Sequence, residues 1–392
     1  MARDILILGA GMVGVSTALA LQQRGCAVTL VDRRPPGRET SYGNAGFIQR
    51  EAVQPYAFPR SWPALWNVAL GRGNDVHLHW RALPALAGRL LRYWQASAPA
   101  AYARTCSAYA PLIAHCIAEH QPLIAAANAD DLIRRDGWLQ AYRRPALFDA
   151  AAREAEALAR EHGLDCAPLD GAALARLEPG LRERLAGALY WRDPWTVADP
   201  GELVERYAAL FQQRGGRVLE GDAGTLRQTA TGWRVQTRDG RDGRDGTAEA
   251  EHAVLALGPW ADVQLRRLGY RLPLFIKRGY HRHHQGGGTL GRPLLDTDHG
   301  MVLAPMKRGL RVTTGAEFAA HAAPPTPVQL RAAEQAAERL LGLGQPVEDT
   351  PWLGARPCTV DMLPVIGPAP RHRGLWFHFG HGHQGFTLGP AT

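Results

Sequence analysis

The sequence predicts an α/β fold in two lobes: a discontinuous Rossmann-type nucleotide domain and an α+β domain built on an antiparallel sheet. Three observations carry that expectation. A glycine-rich turn joins two short apolar runs near the N-terminus, an apolar run over residues 253–257 has the composition of another strand of that sheet, and short alternating strands lie scattered between helical stretches. The 392 residues allow roughly two or three lobes with a sizeable core. With 46% hydrophobic and 21% charged residues, the composition excludes disorder, collagen and coiled coil.

The first element is Ile5-Leu6-Ile7-Leu8, which enters Gly9-Ala10-Gly11-Met12-Val13-Gly14. A helical stretch follows to Arg24, Gly25 stops it, and a second apolar run from Ala27 to Val31 ends at Asp32. This is a βαβ unit. In its G-x-G-x-x-G spacing the first glycine makes a tight turn, the second lets backbone approach a pyrophosphate, and the third lets helix pack on strand. Unpaired amides and the dipole at the helix start favour negative charge, so Gly9, Gly11, Met12, Val13 and Gly14 are expected around a dinucleotide. Asp32, 18 residues after Gly14, stands where a carboxylate accepts hydrogen bonds from an adenosine ribose, with Arg33 beside it.

Residues 62–144 are rich in Trp, Ala and Leu, and Leu83, Leu86, Ala87, Leu90, Leu91 and Trp94 recur at helical spacing. That face predicts core packing, with peripheral membrane contact as the second reading because tryptophan favours the lipid–water interface. A further helix is expected over residues 149–162, before Gly163. Thr326-Pro327-Val328-Gln329 reads as N-cap, first-turn proline and capping-box glutamine, opening a helix that stops near Gly342. Strands are expected over 217–220, 233–237 and 253–257. Arg-Asp-Gly occurs three times over 238–246, a composition that predicts a surface hairpin loop. The division expected from these elements gives residues 1–75, 145–265 and 345–392 to the nucleotide domain, and 76–144 and 266–344 to a substrate domain.

The net charge is +8, and Lys277 and Lys307 are the only lysines among 45 basic residues. No basic tail or alternating aromatic and basic stretch accompanies that charge, so nucleic acid is excluded as a partner; anionic small substrates or an anionic membrane face suit it. Five scattered cysteines without a Cys-x-x-Cys pair predict neither a disulfide framework nor a zinc site, and they fit a reducing, cytoplasmic compartment. Neither a signal peptide nor a transmembrane helix is read, because Asp4 cancels Arg3 and glycines break the first apolar run. The histidines of 280–284 and 381–383 lack a carboxylate or cysteine at ligand spacing, and no metal is assigned to them.

Three further stretches carry a resemblance. They are Glu39-Thr40-Ser41-Tyr42-Gly43-Asn44-Ala45-Gly46-Phe47, then Ala253-Val254-Leu255-Ala256-Leu257-Gly258-Pro259-Trp260-Ala261, and finally Gly354-Ala355-Arg356-Pro357 with Asp361, Leu363-Pro364-Val365-Ile366-Gly367 and Gly380-His381-Gly382-His383-Gln384-Gly385. Together they resemble the FAD-dependent D-amino acid dehydrogenase branch of the D-amino acid oxidase/glycine oxidase/sarcosine oxidase superfamily. The likeness is specific over roughly the first 50 and last 40 residues and diffuse between them.

The resemblance implies that the Rossmann-type domain binds FAD. Thr40, Ser41, Asn44, Ala45, Gly46 and Phe47 are similar to the family's segment along the cofactor; Ala256 and Gly258 resemble its second contact strand, and Ala223 its adenine-side contact. His381, Gly382, His383, Gln384, Gly385, Phe386 and Thr387 match the glycine-rich loop over the isoalloxazine. The family pattern goes on into a helix aimed at the flavin N1–C2=O edge; Gly389-Pro390-Ala391-Thr392 stand where that helix begins. Arg356 occupies the family's Gly-x-Arg-Pro motif, which anchors an amino-acid carboxylate, and a planar guanidinium suits that task. His383 stands where glycine oxidases place a second arginine, and Tyr280 is a candidate pocket wall or gate. Cys358 is expected to be an inert buried thiol. The implied reaction is oxidative deamination of a D-amino acid by hydride transfer from Cα to flavin N5, giving an imine and then a 2-oxo acid. Electrons then pass to a quinone, a protein carrier or oxygen. Two alternatives stay open: oxidation of a cyclic secondary amine such as D-proline or cis-4-hydroxy-D-proline, and a flavin-binding subunit without turnover of its own.

Overall fold

A computed structural model describes residues 3–71, 73–238 and 245–392. Strand Asp4–Leu8 lies at the heart of an eight-stranded sheet, parallel to Ala27–Asp32 on one side and to His252–Leu255 on the other. Arg217–Gln228 and Leu375–Phe379 extend this parallel set outward, and antiparallel strands finish both edges. Leu6, Ile7 and Leu8 are fully buried because both faces of the sheet are covered, which is why the run is continuously apolar rather than alternating. One face packs on helices Met12–Gln23 and Pro200–Gln213, where Val15, Leu19, Val204 and Phe211 meet.

The second sheet has eleven strands and is mostly antiparallel. Its long member Phe275–Gly286 pairs with Trp352–Cys358, Gly309–Thr314 and Ala316–Phe318. Residues of a strand alternate between faces. Tyr280 thus turns to a core cluster shared with helix Val328–Leu341, while Lys277 lies on the opposite side. A small three-stranded sheet joins Phe47–Ile48, Trp195–Val197 and Ile133–Arg134.

The sheets do not follow the division expected from sequence. Strands Cys166–Asp170, Gly187–Trp191, Gly344–Pro346 and Trp352–Cys358 hydrogen-bond within the second sheet, although residues 145–265 and 345–392 had been expected in the nucleotide domain. Sheet membership is decided by long-range pairing, which local pattern does not encode.

Three local expectations are corrected. Helix Val328–Leu341 begins after Pro327 without a side-chain cap, because the Thr326 hydroxyl donates instead to Glu317 at 2.6 Å and the Gln329 amide to the Asn74 carbonyl at 2.6 Å. On helix Leu83–Ala96 only Leu86 and Tyr93 are buried; Leu83, Ala87, Leu90, Leu91 and Trp94 line a cavity, Leu90 packing also on the core cluster of Leu86 and Tyr93. The helix expected at 149–162 starts earlier, at Pro145, and ends on left-handed Gly163. Strands Trp233–Arg238 and Asp245–Ala250 pair antiparallel, and the turn expected between them in the Arg-Asp-Gly stretch lies outside the described residues.

Candidate functional site

A cavity of about 350 Å³ opens at the carboxyl ends of the parallel strands, where an open α/β sheet binds nucleotides. Gly9 has φ 110°, and a Cβ there would stand 2.4 Å from the Ala256 carbonyl oxygen, so the turn admits only glycine. Gly14 is not on the wall: a Cβ on it would lie 1.8 Å from the Gly9 oxygen, which makes it the residue that lets the helix close on the turn. Gly11, Met12 and Val13 do line the cavity, and the Met12 amide donates to Ser41 Oγ at 2.9 Å. Asp32 accepts from the amides of Ala10 at 2.6 Å and Arg34 at 3.2 Å. Burial nonetheless raises its pKa above the usual carboxylate value. Arg33 pairs with Glu39 at 2.6 Å and covers the Trp260 ring at 4.3 Å.

Thr40, Ser41, Asn44, Ala223, Ala256 and Gly258 reach the same wall, as do His381, Gly382, His383, Gly385 and Phe386. These walls fit an extended dinucleotide, since a β-carbon on Gly9 would collide with the far strand and the first helical amide faces a polar oxygen at the cavity edge. Four expected contacts have other duties. Asn44 Oδ1 accepts the Gly46 and Phe47 amides at 2.8 and 3.0 Å, an Asx turn that shapes the loop while the residue still borders the cavity. Gly46, at φ 78°, backs onto the Val197 carbonyl. Gln384 donates to Gln49 Oε1 at 2.8 Å and Thr387 Oγ1 accepts the Gln49 amide at 3.2 Å, so both pin residues 47–49 from behind. Ala45 and Phe47 border a second cavity instead.

That second cavity, of about 780 Å³, shares Gly43, Asn44, Arg356 and His383 with the first. Arg356 is held by backbone carbonyls, Gly315 at 3.0 Å and Thr314 at 3.2 Å, and has no carboxylate ion pair among the described residues. His383 carries its ring 4.8 Å from that of Tyr56. Burial first, then the charges of Arg356 and Lys277, holds its pKa well below 6.5, so the imidazole is neutral at pH 7. Cys358 is buried and its thiol pKa is raised by burial.

Tyr280 borders the first cavity, while its side chain is tied down among the residues behind the sheet. Its hydroxyl donates to Glu317 at 3.2 Å and accepts the Thr326 amide at 2.8 Å, and its ring belongs to the core behind the sheet. Glu317 is itself bound by Arg278 at 2.6 Å, which occupies the carboxylate of the His77, His79 and Glu317 cluster.

Sequence reasoning missed two charged residues. Lys277 lines the second cavity beside Arg356, and Arg311, inside strand Gly309–Thr314, donates to the Tyr42 and Asn44 carbonyls and to His283 Nε2 at 2.9 Å. His283 in turn meets Glu348 at 2.7 Å, so a buried polar chain fixes the loop at 42–44. The available signal was a lone cation at a position where the strand alternation expects an apolar side chain.

The family described as FAD dependent oxidoreductase matches residues 4–392. A D-amino acid dehydrogenase of Paramagnetospirillum magneticum is 33% identical over 98% of this chain and 92% of its own length. A D-amino-acid oxidase of Bradyrhizobium diazoefficiens is 29% identical over all of this chain and 93% of its own. The crystal structure of glycine oxidase from Geobacillus kaustophilus superposes with a TM-score of 0.69, at 22% identity, over 99% of this chain and 92% of that one. With residues 4–392 matched and a relative at 33% identity, the chain belongs to the FAD dependent oxidoreductase family, and FAD is the cofactor its nucleotide cavity is built to hold.

Proposed function

We propose that the chain oxidises D-amino acids, giving an imine that water converts to a 2-oxo acid. One observation carries the reading: Arg356, a guanidinium without a carboxylate partner among the described residues, stands where the nucleotide cavity meets a second, larger one. Its planar fork bonds both oxygens of a substrate carboxylate, and its three carbonyl contacts hold the fork rigid while it does so. FAD, when bound, would supply the two-electron chemistry by accepting the hydride that leaves Cα. Neutral His383 accepts a hydrogen bond from the amine without adding a third positive charge beside Arg356 and Lys277. Catalysis by this chain is then mainly positioning. The test is anaerobic bleaching of the flavin band by D-alanine, D-proline, cis-4-hydroxy-D-proline, glycine, sarcosine and their L counterparts. Rapid bleaching by D-amino acids is expected, and bleaching confined to L-amino acids overturns the reading.

The exposed tryptophans beside the second cavity support a membrane-bound electron acceptor. Trp62, Trp66 and Trp80 are 84%, 63% and 59% exposed on or beside helices Trp62–Ala69 and Leu83–Ala96, whose Leu65, Val68, Leu90 and Leu91 line the second cavity. Between residues 56 and 104 the sequence has six arginines and a single acid, Asp75. Tryptophan at the lipid–water boundary and arginine facing anionic headgroups fit peripheral docking, with electrons passing to a lipid-soluble quinone. Among the described residues no helix is long and apolar enough to cross a membrane. Co-sedimentation with phosphatidylglycerol vesicles at low salt is expected and should drop severalfold in a Trp62→Ser, Trp66→Ser double variant; absence of binding sinks the docking surface.

A further inference from the structure

We infer that Lys277 is a second anion-binding point in the substrate cavity, and that the cavity selects an amino acid carrying two carboxylates. This rests on the proposal that the cavity takes an amino acid. Lys277 on strand Phe275–Gly286 stands directly opposite Arg356 on strand Trp352–Cys358, and both side chains border the larger cavity. Lys277 is only 4% exposed. Its ammonium has one hydrogen-bond partner among the described residues, the Tyr93 hydroxyl at 3.2 Å, and otherwise sits over the Tyr93 ring at 4.7 Å and the Phe275 and Phe318 rings at 5.9 Å.

Two like charges directly across a strand pair repel, and burial sharpens the cost. The neighbouring position shows how this fold neutralises a buried cation when no ligand is involved: Arg278, on the other face of the same strand, is clamped by Glu317 at 2.6 Å. Lys277 and Arg356 have no such carboxylate among the described residues. Asp75, the one acid on the cavity wall among them, forms no ion pair with either cation among the described residues, and burial raises its pKa.

Charge balance then identifies the ligand class. One α-carboxylate filling the Arg356 fork leaves Lys277 buried and unpaired, whereas a side-chain carboxylate neutralises it. The apolar rings under the ammonium leave it no competing solvent, so the second pair forms in a low-dielectric place where it discriminates strongly.

The experiment compares the FAD-loaded enzyme on D-glutamate against D-glutamine and on D-aspartate against D-asparagine, pairs alike in shape and different in charge. The acid of each pair is expected to show a kcat/KM at least about tenfold higher. In Lys277→Met the acid-to-amide ratio is expected to fall toward one, and in Lys277→Arg to persist. Glutarate, which has no amine to oxidise, should perturb the flavin spectrum of the unaltered enzyme, and butyrate much less. Equal rates within each pair, or a ratio that survives Lys277→Met, overturns the inference; the comparison on the unaltered enzyme decides the matter if the variants do not fold. Bleaching by neutral D-amino acids alone refutes the acidic preference and leaves the proposed reaction standing, whereas no bleaching by any amino acid refutes both.

Discussion

Replacing Arg356 with methionine is expected to lower kcat/KM for D-amino acids by about 10²- to 10⁴-fold while the protein stays yellow. The guanidinium has no acidic partner among the described residues, so the positive charge it brings into the cavity is available to a substrate carboxylate. Losing that pair also leaves Lys277 as the only cation on the second cavity's wall among the described residues, and an ammonium offers no planar fork. Arg356→Lys should therefore recover binding more than turnover, because charge returns and orientation does not. A structural cost accompanies both changes: the Thr314 and Gly315 carbonyls lose their donor, worth about 1–3 kcal/mol if they stay dry. Thermal melts separate that cost from catalysis, and visible absorbance reports retained FAD. A kcat/KM within tenfold of the parent would remove Arg356 from the site.

The part of this site that was legible in sequence is the part dictated by short-range geometry. Gly9, Gly11 and Gly14 declare their roles because a tight turn, a close approach and a helix contact each forbid a side chain within six consecutive residues. The loop after Asp32 and the segment at 380–386 were found through family likeness, and most of their residues do line the cavity. What stayed hidden depends on partners distant in sequence. Nothing local says that residue 277 faces residue 356 across two strands, or that Arg311 reaches back to the loop at 42–44. Tyr280 does border the first cavity, but nothing in its neighbours says that strand alternation and the buried Glu317 hold its ring against the core. Thr326 satisfied the rule for a helix cap, yet Glu317, buried and needing donors, took its hydroxyl.

Acidifying the FAD-loaded protein from pH 7 to pH 5 is expected to destabilise the fold by on the order of 5 kcal/mol, a large share of a typical domain's total. His120, His283, His284 and His378 are buried, and that burial pushes each pKa down from 6.5 to about 4. Below pH 6.5 the unfolded chain takes up protons on these rings while the folded chain does not, so stability present above that pH is lost as it falls toward 4. Each ring contributes a loss of about 2 kcal/mol over this interval. Glu51 works the other way. Buried against Trp138, its carboxyl is raised to about 7, so the folded state binds its proton first and gains about 2 kcal/mol on acidification, offsetting one histidine of the four. His281, His381 and His383, whose pKa values are also lowered well below 6.5, add to the loss. Urea unfolding at pH 7, 6 and 5, with FAD in excess, reads the slope directly, and a midpoint that does not move would refute this account. His120 ties the effect to function, since its Nε2 is bonded to the Phe386 carbonyl at 3.0 Å in the loop that closes the nucleotide cavity. Protonating it places an uncompensated charge under that loop, so FAD release should accompany the acid transition rather than follow it.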